Sequence, residues 1–322
     1  MPMDSIYEDV RSILENRRIR SQILQEQKNE QILKEHPQLQ KIEQEIAETT
    51  EQILLNSLES KSSDDLSSEL RRLNRKREDI LKTCGLSSDE FEAQPYCKKC
   101  GDTGYIHIMN KDGSETDVLC ECMRSLLAPV MTARSGVDKY PGYSFEKGSD
   151  AFFASDPTML ETYTKIRLLA EKERIPNAIF YGSSGKGKTF TAVSIARQYA
   201  KQGRSSFVIR LAEAQELLME HRKMIQSFYT PADKERAVER KVAYLTEADI
   251  LVLDDLGVEP RTANTEADLL NILDTRILSG KTTIITTNLD MDTLKDRYRG
   301  RVFDRIDRSF AKFHFSAGGS RA

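Results

Sequence analysis

Gly182-Ser183-Ser184-Gly185-Lys186-Gly187-Lys188-Thr189 satisfies the pattern G-x-x-x-x-G-K-[ST] at every fixed position. The apolar run Asn177–Tyr181 precedes it and reads as a strand, and a helix is predicted over 188–202. Glycines let successive backbone N–H groups turn inward around a phosphate, and the start of the helix adds a favourable dipole. In that setting Lys188 reaches the outer phosphates of a bound ATP, and Thr189 offers its hydroxyl to Mg²⁺. A phosphate-binding loop between a strand and a helix decides the fold class. It calls for a parallel α/β sheet with its ligand at the carboxyl ends of the strands.

The flanking sequence repeats this alternation. Strands are predicted at Ser206–Arg210, Asp249–Leu253 and Thr282–Thr286, and helices near 157–173 and 265–279. Ile250-Leu251-Val252-Leu253 ends in Asp254-Asp255, which places two carboxylates at the ligand crevice. Asp254 is expected to hold Mg²⁺ through water, and Asp255 to orient and deprotonate the attacking water. The strand 282–286 runs into Thr287-Asn288, and Asn288 is the candidate to sense the γ-phosphate or the lytic water. Asn also serves as an ordinary turn residue. A basic helix over Lys295–Arg308 places Arg301 and Arg305 at i,i+4 on one face.

The 322 residues carry a formal net charge of −3, with 31% charged and 7% aromatic residues and no Trp. That balance excludes a protein that coats nucleic acid by bulk charge, so any DNA contact must come from a local patch. No run of about 18 apolar residues and no apolar leader is present. A cytoplasmic protein with no membrane segment is expected, with its cysteines as thiols or metal ligands. Four of the five cysteines form Cys97-x₂-Cys100 and Cys120-x-Cys122, about 20 residues apart, a spacing that reads as a structural Zn²⁺ site. Gly101 and Gly104 allow the tight turns, His107 is a substitute ligand, and Cys84 stands outside the cluster as a small buried residue.

Composition divides the chain into a helical N-terminal arm (1–92), a zinc-binding element (93–128), a linker (129–142) and an ATPase domain (143–322). The arm is rich in Glu, Gln, Lys, Arg, Leu and Ile. Its apolar residues recur at helical spacing, with a break at Pro37 and a helix near 66–83 that stops at Gly85.

Together the phosphate loop, the Asp254-Asp255 strand, the Thr287-Asn288 strand end and the Arg301-x₃-Arg305-Ile306 helix resemble the AAA+ ATPases of the DnaC/DnaI helicase-loader family. The related IstB transposition ATPases share this module, and the resemblance covers roughly residues 140–322. It implies an AAA+ core without a full C-terminal lid, in which Arg305 acts as a finger on a neighbouring subunit's ATP. Gly319-Ser320-Arg321 resembles a second sensor, which makes Arg321 a nucleotide contact. The zinc element between a helical arm and the ATPase favours the loaders, since IstB-type proteins usually lack it. The resemblance thus implies an arm that docks a replicative hexameric helicase, an ATPase part that binds single-stranded DNA, and homo-oligomerisation on ATP binding. Within Arg210–Thr230, which occupies the place of the family's helical insertion, Arg222, Lys223, Phe228 and Tyr229 are candidate DNA contacts, as is the loop Glu259–Thr262. An IstB-like regulator of transposition target selection and a nucleotide-stabilised, non-catalytic adaptor are the alternatives.

Overall fold

The computed structural model describes residues 4–58, 62–110, 112–146, 149–226, 231–260, 263–298 and 300–315. Packing separates two compact units, residues 11–120 and residues 1–10 together with 121–322.

The first unit is helical and closes on a small ribbon. Helices α1 (Asp4–Glu35) and α2 (Pro37–Leu58) are parted at His36, immediately before the proline that lacks an N–H for the preceding helix. Helix α3 (Asp64–Cys84) packs on α2 through Leu39, Ile42, Leu73 and Leu81. Gly85 ends α3 in the left-handed region, and the Leu86 N–H returns to the Leu81 carbonyl at 2.9 Å, closing the helix as the sequence predicts. Strands β1 (Tyr105–Met109) and β2 (Glu115–Leu119) then form an antiparallel hairpin.

The second unit is a three-layer α/β structure. Helix α4 (Glu121–Arg134) runs through the compositional boundary at 128 and packs on elements of the ATPase fold, because Met123, Leu127 and Met131 fall on one buried face. After it come α5 (Pro157–Glu171), β3 (Ala178–Tyr181), α6 (Lys188–Lys201), β4 (Ser206–Arg210) and α7 (Leu211–Ile225). Next are α8 (Ala232–Glu247), β5 (Ile250–Leu256), α9 (Ala263–Leu278) and β6 (Thr282–Thr287). The chain then forms α10 (Met291–Arg297), α11 (Arg301–Ser309) and β7 (Ala311–His314).

The five strands are all parallel in the order β4-β5-β6-β3-β7. Alternate residues feed opposite faces. Ile179, Leu251, Leu253 and Ile285 enter one core, whereas Ala178, Phe180, Ile250, Val252 and Ile284 enter the other. The crossovers from β3 through β6 therefore bury apolar surface on both sides of the sheet. The expected basic helix is two helices, separated at Gly300, whose φ of 85° no L-residue adopts comfortably. Strand β7, which the sequence did not announce, pairs with the free edge of β3.

The segment 129–142, expected to be a linker, is built into this unit. The Val208 N–H donates to the Ser135 carbonyl at 2.7 Å, and Arg197 of α6 donates to the carbonyls of Val137, Tyr140 and Tyr143 at 2.7–2.9 Å.

Arg276 on α9 is fully buried and ties the amino ends of β5 and β6 together. It donates to Thr283 Oγ1 and to the carbonyls of Ala248, Thr246 and Thr282 at 2.5–3.3 Å. Each buried acceptor left unpaired costs about 1–3 kcal/mol. Arg276→Ala is therefore expected to lower stability by about 3 kcal/mol or more in urea unfolding. A change under about 0.5 kcal/mol, the level of an ordinary surface substitution, would show that the side chain is not a structural tie.

Candidate functional site

The phosphate loop follows β3, an inner strand between β6 and β7, and so lies at the carboxyl ends of the parallel strands, where such a sheet forms its crevice. Gly182 has φ 121°, and a Cβ there would sit 2.4 Å from the Phe315 carbonyl oxygen, so the close pass of the β7 end requires glycine. Gly187 has φ 86°, and a Cβ would lie 2.6 Å from the Phe153 ring. Lys188 is buried, and its ammonium donates to the carbonyls of Gly182 at 2.7 Å and Ser183 at 2.6 Å. Burial pulls its pKa below the ordinary lysine value, with Asp255 and Asp254 opposing that shift. The loop thus holds its lysine folded against its own backbone.

The acid pair arrives by way of a bulge. Leu253 pairs with Ile285 and Leu256 with Thr287, so β5 spends three steps where β6 spends two. The extra residue lies at Asp254-Asp255, and Asp255 adopts φ 57°. Without a bulge, strand alternation would send two successive side chains to opposite faces. Here Asp254 accepts from Thr189 Oγ1 at 2.8 Å and from Thr286 Oγ1 at 2.6 Å, while Asp255 lines the same cavity as the loop. The Asp255 N–H donates to Thr286 Oγ1 at 3.0 Å, which fixes the left-handed residue against β6. A hydroxyl and a carboxylate meeting at the loop are hard oxygen donors of the kind Mg²⁺ takes, and the residues present fit that ion. Burial first, and then the neighbouring Asp254, hold the Asp255 carboxyl above its ordinary value, with Arg210 and Lys188 pulling the other way.

The cavity has a volume of ≈ 480 Å³ and is lined by Ser184 to Phe190, Asp255, Asn288, Tyr143 and Phe152. Asn288 stands just beyond the end of β6, between the loop strand and the acid strand in the sheet order. Sequence reasoning missed Tyr140, whose hydroxyl lies 3.5 Å from Asp254 Oδ2, and Arg210, which pairs across β4–β5 with Asp254. It also missed the aromatic side chains Tyr143 and Phe152. None of these carries a motif, and Tyr143 and Phe152 precede the loop by some 30 to 40 residues.

Other candidates lie elsewhere. Arg305 on α11 is half-buried and donates to Asp274 Oδ1 on α9 at 2.5 Å, outside its own chain's cavity. Arg301 is exposed at the start of α11. Arg321, Phe228, Tyr229, Arg261 and Thr262 lie outside the described residues. Arg222 makes a bidentate pair with Asp268 at 2.9–3.1 Å, and Lys223 is exposed. Glu259 turns inward and is almost fully buried, accepting from Gly257 N–H at 2.8 Å and from the Tyr298 hydroxyl. It is an internal anchor, so the expected display of this residue toward DNA does not hold.

Near the ribbon, the thiol sulfurs of Cys97, Cys100, Cys120 and Cys122 all lie within 4.8 Å of one another. Zn–S bonds of about 2.3 Å in a tetrahedron put neighbouring sulfurs about 3.8 Å apart. Cys97 and Cys120 stand at 3.6 Å, so the set fits Zn²⁺. Burial raises the Cys97 thiol, but the N–H groups of Cys100 and Lys99 and the neighbouring thiols outweigh it and bring it to about 7. Asp102, two residues after Cys100, shapes the knuckle. It is buried at φ 60° and accepts from the N–H groups of Tyr96 at 2.8 Å and Cys97 at 2.9 Å. His107 is not a member of the group. It lies opposite Asp117 on the exposed ribbon and bonds to that carboxylate. Cys84 is half-exposed and apart from the cluster.

A phosphate loop after an inner strand of a parallel sheet, with the acid strand β5 two positions away across β6, defines a P-loop nucleotide-binding protein. Comparison with known proteins narrows this. Residues 145–304 match the family described as "IstB-like ATP binding protein", and through this segment the chain is similar to AAA+ proteins of the DnaC/IstB type. The chain is 28% identical over 130 residues to an uncharacterised protein, YdaV, of Escherichia coli K12, covering 40% of this chain and 48% of YdaV. It is 26% identical over 132 residues to the replicative helicase loader DnaC of the same strain, covering 41% of this chain and 50% of DnaC. A putative primosome component from Streptococcus pyogenes serotype M3 aligns at a TM-score of 0.39 and 19% identity, covering 52% of this chain and 84% of that one. The chain spans about half the length of the curated relatives it matches. No helix among the described residues is long and apolar enough to cross a membrane.

Two outcomes follow from the geometry. A carboxyl whose folded pKa is raised stabilises the fold below its unfolded value and loses that contribution as pH rises through the raised value. Asp255→Asn keeps a residue type that tolerates the left-handed region. It should melt above the unsubstituted protein at pH 7 without nucleotide, and the difference should vanish near pH 3. A lower melting temperature at pH 7 would make the Asp255 carboxylate a structural group. Reduced, freshly purified protein should contain about one zinc per chain by elemental analysis, lost in Cys97→Ser. Metal-free protein with an intact ribbon would contradict the zinc assignment.

Proposed function

We propose that the chain is an ATPase that loads a replicative hexameric helicase onto single-stranded DNA. The observation that carries the ATPase reading is the convergence of Lys188, Thr189, Asp255 and Asn288 on one cavity, with Asp254 bonded to Thr189. Mg²⁺ bound there would screen the phosphate charge. Lys188, released from the carbonyls of Gly182 and Ser183, would pair with the outer phosphates. Asp255 would accept the proton of the attacking water, and a carboxyl held above its ordinary value is a stronger base for that step. Asn288 would orient the water. Arg305, which pairs with Asp274 and does not line its own cavity, would complete a neighbouring subunit's site in a head-to-tail assembly.

The loader reading rests on the helical arm and the four-cysteine ribbon joined to this ATPase, together with the similarity to DnaC. The arm would hold the helicase, ATP would order the subunits, DNA would bind a surface made in the assembly, and hydrolysis would release the complex. A second reading, regulation of transposition target selection, is favoured by the family description over residues 145–304.

Lys188→Ala should abolish ATP binding, and Asp255→Asn should bind ATP but lose turnover by at least about 100-fold, the scale of a general base. Arg305→Ala should bind normally and lose stimulated hydrolysis. Helicase presented to circular single-stranded DNA should unwind an annealed strand only with this protein and ATP present. Equal unwinding without the protein would reject the loader reading, and undiminished function in Asp255→Asn would leave a non-catalytic adaptor.

A further inference from the structure

The two oxygens of the Asp254 carboxylate are used differently. Oδ1 accepts from Thr189 Oγ1 at 2.8 Å and from Thr286 Oγ1 at 2.6 Å. Each oxygen of an ionised carboxylate offers about two lone-pair sites, so these two hydroxyls fill Oδ1. A water carried on Mg²⁺ at the loop would therefore bond to Oδ2. The Tyr140 hydroxyl stands 3.5 Å from that oxygen.

Tyr140 does not come from a strand of the sheet. It follows the short turn Val137–Lys139, in the segment that α4 leads into. Gly136 enters this turn with φ 76°, and a Cβ there would lie 2.8 Å from the Val208 carbonyl oxygen, so the chain passes hard against β4. Arg197 of α6 donates to the carbonyls of Val137 and Tyr140 at 2.9 Å and of Tyr143 at 2.7 Å. Lys139 pairs with Glu213 of α7 at 2.7 Å, and the Tyr140 and Tyr143 rings meet at 5.7 Å. Contacts to β4, α6 and α7 thus fix the backbone on both sides of Tyr140. Arg210, at the end of β4, places its positive charge beside the same hydroxyl. A guanidinium only donates, so the phenol turns its lone pairs toward Arg210 and its single proton toward Asp254.

We propose that Tyr140 is a positioning residue, whose hydroxyl holds the Asp254 carboxylate in the orientation that receives the water shell of a nucleotide-bound Mg²⁺. This rests on the nucleotide-binding reading above. Groups that hydrogen-bond a carboxylate at a metal site fix its orientation, and losing one typically costs about 10- to 100-fold in metal affinity or activity. Tyr140 acts through Asp254, so its effect should appear with Mg²⁺ and vanish without it.

The test measures binding of a non-hydrolysable ATP analogue to the full chain, across a Mg²⁺ titration and in EDTA. The proteins compared are the unsubstituted chain, Tyr140→Phe, Tyr140→Leu, Asp254→Asn and the double variant Tyr140→Phe/Asp254→Asn. In Tyr140→Phe the Mg²⁺ concentration for half-maximal tightening should rise roughly 10-fold or more, with binding in EDTA within about twofold of the unsubstituted protein. In the Asp254→Asn background Tyr140→Phe should add less than about twofold, because members of one network are not additive. An unchanged Mg²⁺ requirement in Tyr140→Phe would overturn the inference, and a defect confined to Tyr140→Leu would assign the position to ring packing instead. Equal weakening of Tyr140→Phe with Mg²⁺ and in EDTA would also overturn it, as would an unsubstituted protein whose affinity does not respond to Mg²⁺. An unsubstituted protein that binds the analogue under neither condition would reject the nucleotide reading itself, and this inference with it.

Discussion

The Asp254 carboxylate accepts from Thr189 on the first turn of α6 and from Thr286 on β6, and by these two hydrogen bonds it ties α6 and β6 to its own strand at the site. It is almost fully buried, and a buried carboxylate without such donors would be costly to keep charged. Thr286 also receives the Asp255 N–H, so the same hydroxyl anchors both sides of the bulge. The bulge turns two consecutive acids toward one crevice, something a regular strand does not do. The rest of the site depends on this. Lys188 lies under the field of both acids, Asp255 is raised in part by its neighbour, and Asn288 stands where β6 leaves the sheet between them.

The chemistry is set in layers. The apolar residues of β3, β5 and β6 alternate between two cores and make the sheet rigid. At the amino ends of β5 and β6 buried Arg276 spends its donors on backbone carbonyls, and at the carboxyl ends the strands present the loop, the acids and Asn288. Arg197 stitches the 137–143 segment onto α6, which brings Tyr140 near Asp254 and Tyr143 into the nucleotide cavity. The cysteine cluster is built by a different principle. Backbone turns at Cys97–Cys100 and the return of the Cys120 N–H to the Gly104 carbonyl at 2.8 Å bring the thiols together.

The sequence disclosed what short-range rules control. The phosphate loop, the acid strand, the helix stop at Gly85 and the cysteine spacing each depend on residue types a few positions apart, and the structure places each as those rules require. Long-range packing decided the rest. Strand β7 exists because β3 has a free edge, which no local pattern in Ala311–His314 reveals. Residues 129–142 looked like a connector from their Pro and Gly content, yet hydrogen bonds to α6 and β4 fix them. The inward turn of Glu259 depends on Tyr298, 39 positions away, and the aromatic side of the cavity depends on rings spread from Tyr143 to Phe190. The bulge at Asp255 is likewise set by the register with β6 and not by the dipeptide itself.

The arrangement of the site makes the cavity organised by Asp254 the place where a nucleotide would bind. Hydrogen–deuterium exchange of the full chain, with and without a non-hydrolysable ATP analogue and Mg²⁺, tests this most directly. Exchange should slow chiefly in peptides spanning 182–190, 254–257 and 287–289, together with 143–153. Protection confined to other parts of the chain, or no change at saturating analogue, would contradict it.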